Sequence, residues 1–308
     1  MTQKKAQIRA LVLFSGGLDS RLTAQLLKSQ NIDVETVYFS LPFNQNPSPT
    51  SSNHLIECTK GPLFHEYMNL IQNPQHGRGS GMNPCPDCRI FLLKKTEQLR
   101  KSIQADFLST GEVLGQRPFS QKKHQLFLVE REAGVKGKVL RPLSAKLLPK
   151  TQMEKQGLID RNRLLGIRGA KRNKQIHLAE KYSVDYPNPT GGCLLCDRYF
   201  AQKLKDLFNH YSLISPAHIK LLKLGRHFRN HGKIVLGRNK TENDQLETLN
   251  KSLNFFVIPQ TSCEPTSLYE HPKDEPLTRR LIQAYSTKNL KYRKQMETFR
   301  IEFQKDLS

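Results

Sequence analysis

The run Ala10-Leu-Val-Leu-Phe14, followed without a break by Ser15-Gly-Gly-Leu-Asp-Ser20, decides the reading of this chain. Five apolar residues predict a buried strand, and the paired glycines behind them predict a sharp turn. Leu22, Leu26 and Leu27 then fall on one face of a helix. A strand, a glycine turn and a helix start carrying Ser and Asp together form a socket for a phosphate chain. Free backbone N–H groups and the positive end of the helix dipole face the anion there. The motif is neither GxxxxGK[ST] nor GxGxxG.

Working outward, Val34–Phe39 reads as a second parallel strand, so the chain opens as a doubly wound α/β sheet with its ligand at the carboxyl ends of the strands. Residues 40–61 are polar and rich in Pro, Ser and Asn, and read as a loop. A short helix is expected at 64–71, a Gly/Pro-rich loop at 73–84, a basic helix at 90–103 and a strand at 105–111. Basic helices follow around 168–181 and 200–208. Strands at 233–236 and 255–258, a helix near 242–250 and a final basic helix complete the chain. A boundary near residue 210 separates an N-terminal α/β domain (1–210) from a smaller α+β domain (211–308).

The 308 residues carry 49 Lys+Arg against 27 Asp+Glu, a net charge of +22, which suits a polyanionic partner. No apolar run approaches the length of a membrane span. The start leads straight into the first strand, which leaves no room for a signal peptide and predicts a cytoplasmic protein. In that compartment six cysteines point to metal binding or catalysis rather than to disulfides.

Cys85-Pro-Asp-Cys88 opens a helix, where a thiolate is favoured, and Cys193-Leu-Leu-Cys196 follows a Gly-Gly turn. Three chemistries suit such a set: a four-cysteine zinc site, an iron–sulfur cluster, or a persulfide-bearing nucleophile with a resolving thiol. Cys58 and Cys263 stand alone in polar loops and read as bystanders. Cations concentrate at 117–181, including Arg168, Lys171 and Arg172. They recur at 203–240, where Arg226, Arg229, Lys233 and Arg238 alternate with His227, Phe228 and His231. Both stretches are read as RNA-facing.

SGGLDS between a strand and a helix resembles the PP-loop of the ATP pyrophosphatases. With Asn83-Pro-Cys-Pro-Asp-Cys88 and Leu108-Ser-Thr-Gly111 the chain resembles the PP-loop tRNA thiolases, the 2-thiouridylases and 4-thiouridine synthases among them. Asn73-Pro-Gln-His-Gly77, Gly111–Gln121, Leu140–Lys146 and Gly191–Leu195 extend the likeness to a thiouridine-synthase-like branch. Residues 213–308, with Leu224–Arg229 and Ile234–Asn239, resemble an NFACT-type RNA-binding module.

The resemblance implies an ATP-dependent tRNA uridine sulfurtransferase. Ser15, Gly16, Gly17, Asp19, Ser20, Phe39, Thr110 and Gly111 would bind ATP with Mg²⁺, and Asp19, Cys85, Cys88 and Cys193 would act in catalysis. Those three cysteines would hold a [4Fe-4S] cluster or serve a persulfide, with the part of Cys196 open. Implied partners are tRNA and a sulfur donor (a cysteine desulfurase, a sulfur carrier or sulfide), with a homodimer allowed and no membrane. The rival readings are a PP-loop ligase for a small molecule and a non-catalytic RNA-binding protein. The chain departs from the family at Glu112 (usually His), Arg89 (usually Asn or His) and Cys196 (expected Thr).

Overall fold

A computed structural model describes residues 7–45, 52–187, 192–261, 264–286 and 290–303, so Cys263 and Gly191 lie outside the described residues. The chain divides into two compact units. One comprises the residues up to Gly79 together with Asn83–Cys193. The other comprises Ser80–Met82 and the residues from Leu194 onward.

The first unit runs β1 (Arg9–Leu13), α1 (Leu18–Lys28), β2 (Asp33–Ser40), β3 (His54–Glu57), α2 (Gly61–Gln72), α3 (Cys85–Ser102), β4 (Phe107–Thr110), α4 (Lys123–Glu132), β5 (Val139–Leu140), α5 (Gln152–Lys155) and α6 (Asn173–Lys181). Its five strands are all parallel and ordered β3-β2-β1-β4-β5, so the chain winds one way from β1 and then returns to wind the other. The winding direction changes between β1 and β4, and their diverging loops leave a crevice at the carboxyl edge of the sheet. Ala10 and Val12 pack with Leu27, Phe107 and Leu140 in one core. Leu18, Leu22 and Leu26 pack with Val113, Leu143 and Ile167 in another.

β3 lies inside the segment expected to be a loop. It is an edge strand, pairing only with β2, and its Leu55 is exposed. A strand with one neighbour and little burial needs no apolar run, which explains its polar sequence.

The second unit contains α7 (Arg198–His210), α8 (Pro216–Leu222), β6 (Arg226–Arg229), β7 (Lys233–Leu236), α9 (Lys240–Asn250), β8 (Phe256–Ile258), β9 (Ser267–Tyr269), α10 (Glu275–Ser286) and α11 (Leu290–Met296). Its four strands form an antiparallel sheet ordered β6-β7-β9-β8. Phe228, Ile234, Leu236 and Tyr269 pack with Leu277, Leu281 and Ile282 of α10. The protein is therefore α/β, with a smaller α+β unit after the parallel sheet.

The boundary expected at residue 210 moves to Cys193, because α7 belongs to the second unit. Its Asp206 pairs with Arg229 and Lys233, and its Lys203 with Glu302.

Candidate phosphate socket and thiol site

The Ser15–Ser20 turn sits at the switch point. Gly16 has φ +75°, which a side-chain-bearing residue rarely adopts, and its carbonyl accepts from Arg21 Nε at 2.7 Å. Gly17 precedes α1 in extended conformation without a side-chain cap. The first-turn N–H groups of α1 are thus left without a side-chain acceptor from that residue. Ser20 Oγ donates to the Gly17 carbonyl at 2.9 Å and lies 3.3 Å from Ser15 Oγ.

From the neighbouring strand, Gly111 follows Thr110 and closes on the same helix start. A methyl group at Gly111 would lie 2.7 Å from Asp19 C and Ser20 N, so only glycine fits. The Thr110 hydroxyl donates to Glu112 at 3.2 Å. Phe39 is buried near the end of β2, and its carbonyl accepts from Asn44 at 3.2 Å.

Asp19 is the open end of this construction. Gln116 Nε2 donates to its Oδ2 at 2.9 Å, but its buried Oδ1 has no donor among the described residues. Gln116 Oε1 is likewise buried and unpartnered. Two acceptor oxygens without donors suit a cation such as Mg²⁺, which takes one or two protein oxygens and leaves the rest to water and phosphate. Arg172, just before α6, places Nη2 3.9 Å from Asp19 Oδ2. Arg168 bridges to Leu114, and Lys171 is exposed beside it. Arg172, expected to face RNA, stands near the aspartate of the turn. The sequence could not show this, because 153 residues separate the two positions only in the chain.

The first CxxC occupies the first turn of α3. Asp87, between its cysteines, is buried and accepts from the backbone N–H groups of Gln75 (2.9 Å) and His76 (3.1 Å), fastening the preceding loop. Cys85 is half-buried. Cys88 lies 3.4 Å from the Tyr67 hydroxyl. Burial pushes the Cys88 thiol up, only partly opposed by Tyr67 and Arg89. Burial also pushes the Tyr67 hydroxyl well up, and the nearby Cys88 and Cys193 add to it.

Cys58, at the end of β3, donates its backbone N–H to Ser40 and is fully buried, with its thiol pushed up to about 12. Tyr67 and the closeness of Cys58 to Cys88 had no sequence signal. They come together because β3 and α2 meet α3 in space.

The two departures at Arg89 and Glu112 form one ion pair. Arg89 Nε is 3.6 Å from Glu112 Oε1, and Arg141 Nε is 3.0 Å from Glu112 Oε2. Arg141 is buried and also bonds Glu130. Burial pushes the Glu112 carboxyl up, but Arg141 and then Arg89 outweigh it and hold the group below the usual carboxylate range. Glu112 thereby connects the Gly111 turn to the residue after the second thiol.

Among the described residues no three His, Cys, Asp or Glu side chains are grouped so as to hold a metal ion. Cys88 lies against the Tyr67 hydroxyl, and burial raises its thiol. Cys193 belongs to the first unit and Cys196 to the second, where Ser80 Oγ donates to the Cys196 carbonyl at 3.5 Å.

In the second unit, three of the four cations expected to face RNA are engaged internally. Arg229 donates to both oxygens of Asp206, at 2.7 and 2.8 Å. Lys233 is 1% exposed and donates to Asp206 Oδ2 at 2.6 Å, so it belongs to the core and cannot reach a ligand. Arg238 clasps Glu242. Alternation along a strand puts Arg229 and Lys233 inside as readily as outside, which a count of charges cannot tell.

No helix among the described residues is long and apolar enough to cross a membrane. No protein-family model matches the chain. No curated protein matches it either. The chain is similar to a number of solved structures, two of which follow. The first, a predicted subunit of tRNA methyltransferase from Methanocaldococcus jannaschii, is 14% identical with a TM-score of 0.36; the match covers 68% of this chain and 91% of that one. The second, a 4-thiouridine synthetase–RNA complex with bound ATP, is 18% identical with a TM-score of 0.33; the match covers 57% of this chain and 51% of that one.

Proposed function

We propose that this protein is an ATP-dependent, AMP-forming sulfurtransferase that thiolates a uridine of tRNA. The observation that carries the reading is the socket at the β1/β4 switch point. There a strand–SGGLDS–helix turn is closed by Gly111, and an aspartate oxygen is left without a donor. The thiols of the same unit connect to that turn through Glu112 and Arg89.

ATP would lie with its phosphates on the Ser15–Ser20 turn, and the N–H groups at the start of α1 would receive them. Asp19 and Gln116 would hold Mg²⁺, which supplies charge neutralisation on the phosphate oxygens. Arg172 stands beside Asp19 and offers a guanidinium to the departing pyrophosphate. The uridine carbonyl oxygen attacks the α-phosphorus and pyrophosphate leaves. A sulfur nucleophile then attacks the same carbon, and AMP leaves with the oxygen.

Among the described residues no three His, Cys, Asp or Glu side chains are grouped to hold a metal ion, and we assign the sulfur to a persulfide. Cys85 or Cys193 carries the sulfane sulfur, and the other thiol resolves the mixed intermediate to a disulfide that an external thiol reduces. Cys88, half-buried against Tyr67, would support the site rather than attack. The donor in this route delivers sulfur already at the sulfane level, as a cysteine desulfurase or a persulfide-bearing sulfur carrier would.

The test is AMP and pyrophosphate release by the purified chain with tRNA, paired with mass spectrometry of tRNA nucleosides from a strain lacking the gene. Nucleotide release together with loss of one thiouridine supports the reading. An unchanged set of thionucleosides overturns it.

A further inference from the structure

One arginine of the second unit differs from the cations around it. Arg226 on β6 is half-buried, and among the described residues it has no carboxylate partner; it donates only to the Gly237 carbonyl, at 3.4 Å. Its guanidinium carbon lies 4.8 Å from the centre of the Tyr285 ring, and that of Arg293 on α11 lies 4.5 Å from the same ring. Phe228, two residues along β6, meets Tyr285 edge-on at 5.8 Å and anchors the ring in the core. Tyr285 therefore holds two guanidinium groups in place at one point.

The surroundings make that point cationic. Arg293 reaches Glu297 only at 4.0 Å, and Arg300 shares the same carboxylate at 3.9 Å. Arg300 and Lys203 divide Glu302, and Arg238 takes Glu242. Among the described residues, four cations thus share three carboxylates and Arg226 has none. Burial lowers the Arg226 pKa, and Arg293, Arg300 and Arg238 lower it further. An unpaired, partly buried charge among like charges is costly, and an anion between the guanidinium forks removes that cost.

We propose that Arg226 and Arg293, braced by Tyr285, form a subsite for a phosphodiester group of RNA. This rests on the reading of tRNA as the partner, and it selects among the basic residues. The planar fork of Arg fits paired phosphate oxygens, and stacking on the ring keeps the forks aimed. The Tyr285 ring is occupied by the guanidiniums, so the subsite takes backbone phosphate and reads no base.

The test uses the full chain and a labelled single-stranded RNA, with binding measured by anisotropy between about 50 and 200 mM NaCl. In Arg226→Gln/Arg293→Gln the salt dependence flattens by about 0.7 in slope, the change for the one phosphate no longer neutralised. Affinity falls several-fold, while Lys251→Gln, an exposed cation on another element, leaves the slope unchanged. Arg293→Glu alone, on a half-exposed residue, keeps the test available should Arg226→Gln not fold.

Equal flattening in Lys251→Gln means diffuse attraction and overturns the subsite. Stabilisation of the wild type, but not the variant, by millimolar inorganic phosphate with an unchanged RNA slope would assign the forks to free phosphate and overturn the RNA source. Loss of polyglutamate binding alone would assign them to an acidic peptide, with the same consequence. An unchanged slope beside intact thiolation sinks the subsite only. A flattened slope beside wild-type protein that forms no thiouridine sinks the sulfurtransferase reading only.

Discussion

Asp19 and Asp206 are both helical aspartates near arginines, one in each unit, and the structure treats them oppositely. Asp206 is buried and fully engaged: Arg229 holds both its oxygens and Lys233 adds a third bond at 2.6 Å. Asp19 has one amide donor, an arginine 3.9 Å away and a second oxygen with no donor among the described residues. The first carboxylate is consumed by folding, and the second keeps an oxygen without a donor among the described residues. A basic stretch in sequence thus mixes charges that hold the fold with charges that face a partner, and only the pairing separates them.

The largest expected effect tests the engaged aspartate. Asp206→Asn strands the Lys233 ammonium in the core and should cost about 3–5 kcal/mol, read by urea unfolding. Asp19→Asn keeps an acceptor for Gln116 and should cost less than about 1 kcal/mol. It should nevertheless abolish AMP and pyrophosphate release. Comparable losses of stability in the two variants would break the contrast.

The second effect sharpens the same contrast at the turn. Gly111→Ala drives a methyl into the Asp19–Ser20 backbone and should cost about 1–3 kcal/mol. At Gly17 the nearest atom to an added methyl is Ser15 Oγ at 3.6 Å, and φ is −81°. Gly17→Ala should therefore leave the melting temperature close to wild type while weakening ATP binding by crowding the phosphates. Calorimetry of both variants with and without ATP decides it.

The third is a pH effect. Burial raises the Asp206 carboxyl, but its bonds to Arg229 and Lys233 outweigh it and hold the folded value below 3.8. Glu112 is held below 4.5 by Arg141 and Arg89 against its burial. For a depressed carboxyl the stabilisation is complete above the unfolded value and is lost as pH falls through the folded one. The stability advantage of wild type over Asp206→Asn should be constant above about pH 5 and shrink below pH 3.8. An advantage that does not shrink as pH falls from 3.8 towards 2 would disprove the ion-pair account.

The smallest effect concerns the thiols. With its thiol pushed up to about 12 and no exposure, Cys58 should resist iodoacetamide at pH 8 in the native protein, while half-buried Cys85 is alkylated. Peptide mass spectrometry reads both sites, and urea should abolish the difference. Rapid labelling of native Cys58 would contradict its place beneath the end of β3.

Local signals carried much of the fold. The apolar run at 10–14, the glycine pair and the leucine spacing of α1 are properties of neighbouring residues, and they specify the strand–turn–helix and its switch-point location. The CxxC at the start of α3 was legible for the same reason. The edge strand β3 was not, because one-sided pairing leaves no apolar pattern. Nor was the membership of α7 in the second unit, which depends on Asp206 and Lys203 reaching partners far along the chain.

The sequence alone therefore determined the parallel α/β class, the phosphate-type turn and the positions of the thiol motifs, since each rests on interactions within a few residues. Tertiary structure decided which charges are free. It turned the unusual Arg89 and Glu112 into one ion pair, brought Arg172 near Asp19, buried Lys233 and left Arg226 against Tyr285 with no carboxylate partner among the described residues. Burial and pairing are properties of three-dimensional neighbours, and no count along the chain contains them.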